Sequence, residues 1–579
     1  MKKNTFKIFG AILLGSMLLW GCGLGKMIKK YPEVKYEVTP EILETHGGSI
    51  SVVVKGTIPA KYFHKKATVD FTPVLKYNGG EYTLKSLSLQ GEKAEGNGTV
   101  ISYKGGGTIS YVDSIPYKPE MNKSELIVNA KATLKSKDVF LGERKLADGV
   151  IHTSTRVGEE DETHFGKDAY VKDITETFSA NIYFPYNQAQ LNWSIPFNKA
   201  EESKKKLEQF MAFITNGWRQ KSITVSAWAS PEGEESLNMD LSTKRGDVAD
   251  KYLKEELKKV LKKQKIEFKE ENFPFGKPIA NGEDWNGFMK SLNASDIKDK
   301  SAIENVIKNQ NNISERQQAI RDMTVVFKEV EDNILPPLRR AELTVVAFKP
   351  AKTDEQIAKF STTKPDSLTL EELLYAATLT EDVNTKLTVY RNAAKVYPKD
   401  WRGYNNAAYC LLAQGNNDEA AKLLEQANTL APNTGIILNN LGVIAKRKKD
   451  YESAKSYFES AQQYGINTSF NMAALYIIEG DYNKALGLYG GKTCVYNKGL
   501  VQYLLKDVEN AQKTLECAPK TAETHYLLAV VAAKKGDINM LAENLSKACE
   551  LDAKYKKEAK EDLEFKKYFD NTQFQGAVN

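Results

Sequence analysis

The sequence contains few of the residues that most often build metal and nucleophilic sites. Among its 579 residues there are only 5 histidines and 5 cysteines. His46, His64 and His152 are scattered, and none has a second ligand at the spacing of a metal site. The patterns CxxC and HExxH, a serine–histidine–aspartate order and a glycine-rich phosphate loop are also missing. We therefore predict a protein that is not an enzyme and that uses no metal and no cofactor.

An excess of charge of one sign is missing as well. The chain has 81 lysines and arginines against 75 aspartates and glutamates, a formal net charge of +6. No basic patch with interleaved aromatic residues is present, and the lysine-rich run at 254–265 contains glutamates, as solvated helix faces do. We therefore expect no nucleic-acid partner.

Long hydrophobic runs are absent, and the longest apolar stretch lies at the N-terminus. Lys2, Lys3 and Lys7 precede the run Ile8–Gly21, which is shorter than the roughly 18 apolar residues of a membrane-spanning helix. A basic start followed by a short apolar run is typical of a secretion signal. The run ends in the letters LWGC, which resemble a bacterial lipobox with Cys22 as its cysteine. The resemblance implies a signal peptide over 1–21 and lipidation of Cys22. The alternative is an ordinary cleaved signal with an incidental cysteine.

The residues after Cys22 predict the side of the membrane. An aspartate at the second mature position or an acidic cluster would resemble the surface-export signal of Bacteroidetes lipoproteins. This sequence has neither feature. We therefore expect a lipoprotein that is held in the outer membrane by acyl chains alone and faces the periplasm. Residues 22–37 are predicted to be a tether.

Residues 38–165 alternate between apolar and polar positions, as half-buried strands do. Within Ser124–Ser136, every second residue from Leu126 to Leu134 is apolar. Similar runs at 49–58 and 99–112 are separated by Asn-Gly, Gly-Gly and proline turns. The pattern predicts a small antiparallel β-sandwich that serves as a spacer or a docking module.

Residues 170–350 follow a different pattern: strand, helix, strand, helix, strand. This order is typical of an α/β or α+β domain, so the whole chain is predicted to be a multidomain α+β protein. An insertion at about 267–336 separates the last helix from the last strand. Residues 351–368 are polar and aperiodic, and we interpret them as a linker. A capping box from Thr369 to Glu372 then predicts the start of a helix.

The segment 369–570 is helical and repetitive. Residues 404–432 align with residues 438–466, so that Asn405 and Asn406 pair with Asn439 and Asn440. This repeat resembles the tetratricopeptide repeat, a helix hairpin with small residues where its helices touch. The resemblance implies an α-solenoid of five or six hairpins whose concave groove binds protein partners.

Three asparagines recur at one place on successive first helices, namely Asn405, Asn439 and Asn471. In tetratricopeptide arrays this line faces the groove, where paired donor and acceptor groups can clamp the backbone of a bound peptide. The alternative is that these asparagines are solvated or bridge the helices of a hairpin. They are the candidate residues for partner binding.

Two cysteines of the helical part are predicted to lie close together. Cys494 is expected near the start of one helix and Cys517 near the end of the next. These two ends are neighbours in a helix hairpin, so a disulfide between them is geometrically reasonable.

Two segments of the middle domain resemble the OmpA-like peptidoglycan-binding domain. The resemblance covers about 176–266 and 337–348. It rests on the following residues: Phe184, Tyr186, Asn187, Ala189, Leu191, Gly233, Asn238, Leu241, Ser242, Arg245 and Val248. In that family an aspartate and an arginine grip the diaminopimelate part of the stem peptide. The resemblance therefore makes Ser230, Glu232, Asn238 and Arg245 the candidate wall-binding residues.

This sequence departs from the family at the acid. Arg245 stands at the arginine position, where its planar fork could take a carboxylate. Ser230 stands at the aspartate position and carries no charge, whereas Glu232 lies two residues further on. Either Ser230 or Glu232 completes the site, or the fold is kept for protein contacts alone.

The combination of the three resemblances suggests a function. A lipid anchor, an OmpA-like domain and a tetratricopeptide array together resemble Bacteroidetes accessory lipoproteins of secretion or of outer-membrane-protein assembly. We expect a scaffold between peptidoglycan and an outer-membrane complex. The alternative is a surface-exposed adhesin or fimbrial accessory lipoprotein.

Overall fold

The computed structural model describes residues 23–310, 312–322 and 324–579. The predicted signal peptide and the predicted lipidation site Cys22 lie outside the described residues. The chain forms two compact units, one that runs up to Lys167 and resumes at Thr380–Asn579, and one that comprises Asp168–Leu379. Within the described ranges, no helix is both long and apolar enough to cross a membrane.

The first unit starts with a helix and a sheet-rich region. Its elements are α1 (Gly23–Lys30), β1 (Lys35–Thr39), β2 (Ile42–His46), β3 (Ser49–Ile58), β4 (Thr68–Tyr77), β5 (Gly80–Thr83), β6 (Leu87–Gly91), β7 (Thr99–Ile101), β8 (Gly107–Pro116), β9 (Ser124–Leu134) and β10 (Lys137–Ile151). Strands β1 to β10 form one 10-stranded sheet in the order β1-β3-β2-β10-β9-β4-β6-β7. Strand β5 pairs with β4, and β8 pairs with β3.

The prediction of a purely antiparallel sandwich is therefore wrong in part. Strand β2 pairs with β3 in antiparallel fashion and with β10 in parallel, so it joins the two layers into one sheet. Strands β6 and β7 are also parallel. The sheet curls as a half-barrel around a core that includes Val52, Phe71 and Val128. Alternation along each strand reveals which face is buried, but it carries no information about strand direction.

The predicted tether is a structured part of this region. Leu24 and Met27, three residues apart on one face of α1, are buried in the core of the half-barrel. Tyr31 and Val34 are buried beside them, and β1 starts at Lys35. The short amphipathic pattern of this helix explains why residues 23–37 pack against the half-barrel and do not form a free tether.

The second unit contains the predicted alternation of strands and helices. Its elements are β11 (Thr175–Tyr183), α2 (Pro196–Lys199), α3 (Glu201–Ile214), β12 (Gln220–Ala229), α4 (Glu235–Lys263), β13 (Ile279–Glu283), α5 (Trp285–Ala294), α6 (Lys300–Lys308), α7 (Ile313–Asp322), α8 (Thr324–Asn333), β14 (Arg340–Phe348), α9 (Asp354–Thr363) and α10 (Leu370–Ala376). The sheet order is β11-β14-β12-β13. Apolar residues of α3 and α4, among them Phe210 and Leu253, pack against this sheet.

The insertion at 267–336 is only partly separate from this domain. Its β13 joins the sheet parallel to β12, whereas parts of α5, α6 and α8 build a small core around Phe288, Leu292 and Ile303.

The predicted linker at 351–368 is wrong, because most of it is helical. Thr353 and Gln356 form a capping box at the start of α9, and Ile357 is buried on its inner face. The predicted capping box of Thr369 and Glu372 is present at the start of α10. Helices α9 and α10 belong to the second unit, so the repeats of the first unit begin at Thr380 rather than at 369.

The remaining helices form the repeat array of the first unit. They are α11 (Val383–Val396), α12 (Trp401–Ala413), α13 (Asn417–Leu430), α14 (Gly435–Arg447), α15 (Tyr451–Gln463), α16 (Ser469–Glu479), α17 (Tyr482–Tyr489), α18 (Tyr496–Leu504), α19 (Val508–Cys517), α20 (Ala522–Lys535), α21 (Ile538–Leu551), α22 (Lys554–Ala559) and α23 (Thr572–Val578). Helices α12 to α21 form successive hairpins, which confirms the α-solenoid. Small residues allow their close packing, since a Cβ at Gly442 would lie 2.5 Å from the ring of Phe458.

Candidate functional site

Two rows of asparagines line the groove of the repeat array. Each first helix carries a small residue where it contacts the second helix of its hairpin, for example Gly442. One row of asparagines lies three positions before these small residues, and the other row lies two positions before them. The first row comprises Asn405, Asn439 and Asn471, and the second comprises Asn406, Asn440 and Asn497. All six side chains are buried. Buried amides of this kind need hydrogen-bond partners on both the oxygen and the nitrogen.

Their partner is an extended segment of the same chain, residues 156–167, which we call the strap. The strap follows the last strand of the half-barrel and has neither helix nor strand of its own. The predicted sandwich boundary at 165 is therefore wrong, because the sheet ends at Ile151 and the strap lies in the groove. An extended backbone directs the N–H and C=O of one residue to the same side, so alternate residues face the same row of side chains.

Four strap residues are each held by one asparagine through two hydrogen bonds. The amide oxygen of Asn406 accepts from the N–H of Gly166 at 2.7 Å, and its nitrogen donates to the carbonyl of Gly166 at 2.8 Å. The same pair of bonds joins Asn440 to His164, Asn471 to Glu162 and Asn497 to Gly158. This exchange repeats the hydrogen-bonded residue pair of an antiparallel sheet, with side-chain amides in place of a second strand.

The other two asparagines support this ladder. Asn405 donates to the carbonyl of His164 at 3.3 Å, and Asn439 donates to the carbonyl of Glu162 at 2.8 Å. The oxygen of Asn439 accepts from Asn471 at 2.9 Å. The amides therefore polarise and orient one another.

Acidic side chains of the strap add charge complementarity. The Asp161 carboxylate is 2% exposed and lies between Lys446 at 2.5 Å and Arg447 at 2.8 Å. The Glu160 carboxylate accepts from the backbone N–H groups of Tyr496 and Asn497, the first residues of α18, at 2.9 and 2.8 Å. The positive end of a helix favours a carboxylate there.

The N-terminal end of the strap is anchored by Arg156. Its guanidinium pairs with Glu558 at 2.6 Å and Asp562 at 2.9 Å and lies over the ring of Tyr526 at 4.1 Å. Burial opposes the charge of Arg156, but the ring and the two carboxylates outweigh it and raise its pKa. Burial also opposes the charge of Glu558, but His152 and Arg156 lower the pKa of that carboxyl to about 2.

A second acid next to this anchor behaves in the opposite way. The Glu564 carboxylate accepts from the hydroxyls of Thr153 at 2.6 Å and Tyr503 at 2.8 Å. Burial and repulsion by the neighbouring Asp562 outweigh these two hydrogen bonds, so the pKa of Glu564 is raised.

The three predicted groove residues, Asn405, Asn439 and Asn471, all lie against a peptide backbone, and this backbone is the chain's own. The second row was missed, although Asn406 and Asn440 align in the repeat as well as the first row does. Asn497 lies two positions before the small residue Gly499, and this spacing could have revealed it. Gly499 is the small residue at the helix contact, since a Cβ there would lie 2.6 Å from Leu515. No local pattern indicates that residues 156–167 are the occupant.

Cys494 and Cys517 form a disulfide with Cα atoms 4.7 Å apart. It ties the residue two positions before α18 to the end of α19. The two other described cysteines, Cys410 and Cys549, are free and buried.

The second unit brings part of the wall-binding candidate set together. Arg339 donates to the Glu232 carboxylate through two nitrogens, at 2.9 and 3.1 Å. The Ser230 hydroxyl also donates to Glu232, and Arg339 lies over the exposed ring of Tyr186 at 5.2 Å. The acid at position 232 therefore lies directly against the serine at position 230.

Arg245 has a different environment from the one expected for a ligand grip. Its side chain is 1% exposed, and its nitrogens donate to the carbonyls of Gln188, Trp228 and Pro185 at 3.0, 3.0 and 3.1 Å. Burial and the nearby Arg339 lower the pKa of Arg245 to about 10. In this conformation the guanidinium holds the unit's own loops, and its predicted contact with a ligand stays a prediction.

Asn238 is covered by the insertion. Its amide donates to Glu283 at 2.7 Å, and Gln317 donates to the same carboxylate. Trp285 adds a third hydrogen bond at 2.8 Å, yet burial raises the pKa of Glu283. Of the four candidates, Ser230 and Glu232 are thus in contact, whereas Asn238 and Arg245 contact other parts of the unit.

Both sites present hydrogen-bonding and charged groups. Across the described ranges, no group of three or more histidine, cysteine, aspartate or glutamate side chains is placed to hold a metal ion. The groove provides amide groups that bind a peptide backbone and a buried cationic pair, and the Ser230 region provides a carboxylate and a guanidinium side by side.

The comparisons with known proteins identify the repeats. The tetratricopeptide repeat family matches residues 387–434 and 411–467. Anaphase-promoting complex subunit 3 of Schizosaccharomyces pombe is 24% identical over 187 residues, which cover 32% of this chain and 25% of that protein. The chain therefore spans about a quarter of the length of this curated relative.

Solved structures show the same kind of likeness. A tetratricopeptide repeat protein from Parabacteroides merdae is 15% identical with a TM-score of 0.29, over 36% of this chain and 91% of that one. Yeast Tom70 is 16% identical with a TM-score of 0.25, over 52% of this chain and 66% of that one. The C-terminal region consists of tetratricopeptide repeats, and arrays of this class are platforms for protein–protein contacts.

Proposed function

We propose that this protein is a non-catalytic scaffold lipoprotein of the Bacteroidetes outer membrane that faces the periplasm. One observation carries the scaffold role: the buried amide ladder of the repeat groove, which recognises backbone in extended form. The lipobox-like LWGC motif at Cys22 supports the anchor. The partners are peptidoglycan, bound by the OmpA-like unit, and an outer-membrane complex for secretion or protein assembly, bound by the repeats.

The proposed wall contact rests on Glu232 and Arg339. A zwitterionic ligand end needs an acid for its ammonium group and a guanidinium for its carboxylate. Glu232 and Arg339 offer both next to Ser230, with side chains 11% and 12% exposed. Since Arg245 is buried, Arg339 is the more accessible cation. A zwitterionic ligand end that inserts between Glu232 and Arg339 replaces their ion pair with two, one to its ammonium group and one to its carboxylate.

Sedimentation with purified peptidoglycan tests this contact. Glu232→Gln should weaken binding roughly tenfold, because one charge-assisted hydrogen bond is lost. The double variant Ser230→Asp/Glu232→Gln moves the acid back to the position of the family and should restore binding. Arg219→Gln, at an exposed ion pair of the same unit, is the matched control. Wild-type protein that stays in the supernatant would exclude wall binding.

The anchor and its orientation need separate tests. Cys22→Ala should release the mature protein from the outer membrane or leave the precursor uncleaved, and continued outer-membrane fractionation would contradict lipidation. Protease added to whole cells should leave the folded protein intact. Digestion on intact cells would favour the surface adhesin.

A further inference from the structure

The strap shows which peptides the groove accepts. A Cβ at Gly158 would lie 2.8 Å from the ring of Tyr496, and a Cβ at Gly166 would lie 2.8 Å from both Arg402 and Trp401. No contact between unbonded carbons is normally that short, so a larger residue at either place must displace its neighbours. The groove therefore selects glycine at two positions that are eight residues apart in the strap.

The centre of the groove selects an acid. Lys446 and Arg447 have side chains that are 6% and 11% exposed, and Asp161 lies between them. Two cations buried this far are costly unless a carboxylate pairs with them. The preceding acid, Glu160, caps α18. Charge and helix polarity thus favour an acidic pair between the two glycines.

The amide ladder supplies affinity without reading side chains. Each of Asn406, Asn440, Asn471 and Asn497 contacts only backbone atoms of the strap. Any extended segment can make these bonds, so the sequence preference comes from the glycine sites and the cationic pair.

We propose that the repeat groove is a binding site for an extended acidic peptide flanked by glycines, and that the strap occupies this site as an intramolecular competitor. The inference rests on the proposed scaffold function and names the partner chemistry of its groove. A tethered segment competes at an effective concentration in the millimolar range. A partner segment of the same chemistry therefore binds strongly only when the strap has left.

The test uses the full chain with the strap excluded from its seat. Gly158→Val/Gly166→Val makes the strap clash at both ends and leaves every groove residue in place. The probe is a fluorescent synthetic peptide with the strap sequence RVGEEDETHFGK, and its anisotropy is measured against wild type and variant. The double variant should bind the probe at least tenfold more tightly than wild type does. Equal binding, or none by a folded double variant, would overturn the proposal.

Matched controls separate the groove from general loosening of the chain. Gly491→Val adds a side chain where no atom lies within 4 Å, so this variant should bind the probe as weakly as wild type does. Adding Asn406→Ala/Asn440→Ala to the double variant should abolish its binding. If the double variant does not fold, Asp161→Ala replaces it as a milder way to weaken the strap, with the same two outcomes.

Variant probes test the sequence preference. A probe with asparagine in place of its aspartate should bind the double variant at least tenfold more weakly, because the cationic pair loses its counter-charge. A probe with valine in place of both glycines should not bind. Equal binding of all probes would overturn the acidic, glycine-flanked specificity. Peptidoglycan sedimentation and membrane fractionation are independent of the groove, so they show whether the scaffold function fails together with this inference or stands without it.

Discussion

The side-chain amide of Asn406 exchanges two hydrogen bonds with the backbone of Gly166, a residue 240 positions earlier in the chain. Both partners are buried, and the two hydrogen bonds involve only backbone atoms of Gly166. Because the same exchange recurs at three further asparagines, the half-barrel and the repeats are joined by a ladder of backbone contacts within one compact unit.

Loss of this ladder should destabilise the first unit. Asn406→Ala leaves a buried N–H and a buried C=O of Gly166 without partners, which costs about 1–3 kcal/mol. Urea denaturation should show a lower midpoint, and limited proteolysis should cleave the strap sooner. Asn428→Ala, which removes a half-buried amide from α13, should change neither; an equal loss in this control would show that the strap contact is not the cause.

The burial of Glu564 should make stability depend on pH. Its folded-state pKa lies above the ordinary value of 4.5, so its contribution to stability is fully present below about pH 4.5 and is lost as the pH rises through the folded pKa. Glu564→Gln should therefore be more stable than wild type at pH 7. The difference should shrink as the pH falls towards 4.5. Unfolding curves at pH 7 and pH 5 check both statements.

Glu558 should show the opposite dependence. Its pKa is lowered to about 2, so its contribution is present above its ordinary value of 4.5 and is lost as the pH falls through 2. Glu558→Gln should thus be less stable than wild type at pH 7, because Arg156 loses a counter-charge. The two curves should converge in strong acid. A loss of stability that is independent of pH would show that the ion pair is not responsible.

Replacement of Arg245 should affect folding before it affects ligand binding. The guanidinium donates to three backbone carbonyls from a side chain that is 1% exposed, and Arg245→Ala would leave these acceptors unsatisfied. We expect the free energy of unfolding of the second unit to fall by more than about 3 kcal/mol. Thermal denaturation measures this loss. Arg339→Gln should have a smaller effect on stability. A stable Arg245→Ala variant that no longer sediments with peptidoglycan would instead assign Arg245 to the ligand.

The disulfide should stabilise the middle of the repeat array. It closes a loop with a sequence separation of 23 residues, and its removal should cost about 3 kcal/mol through the greater freedom of the unfolded chain. Cys494→Ser/Cys517→Ser should therefore unfold at lower urea, and reductant should shift wild type towards the variant. Cys410→Ala, at a free buried cysteine, keeps the disulfide and provides the comparison, so reductant should shift its unfolding as it shifts that of wild type.

The sequence by itself determined the elements whose cause is local. The 34-residue repeat, with small residues at Ala408 and Gly442, specifies helix hairpins because only those side chains permit close helix contact. The capping box of Thr369 and Glu372 marks the start of α10 for the same kind of reason, since its hydrogen bonds span one helical turn. Period-two alternation likewise indicated the strands of the half-barrel.

Only the tertiary structure decided the pairing and the occupant of each site. Alternation reveals the buried face of a strand but not its neighbour, so the parallel pair of β2 and β10 had no local signal. The strap is held through its backbone, and backbone groups are the same in every residue. Glu232 and Arg339 lie 107 positions apart, and only folding brings the guanidinium of Arg339 to the neighbouring Ser230 and Glu232. Local side-chain patterns specified the elements of this protein, whereas long-range backbone and ion-pair contacts determined how its sites are filled.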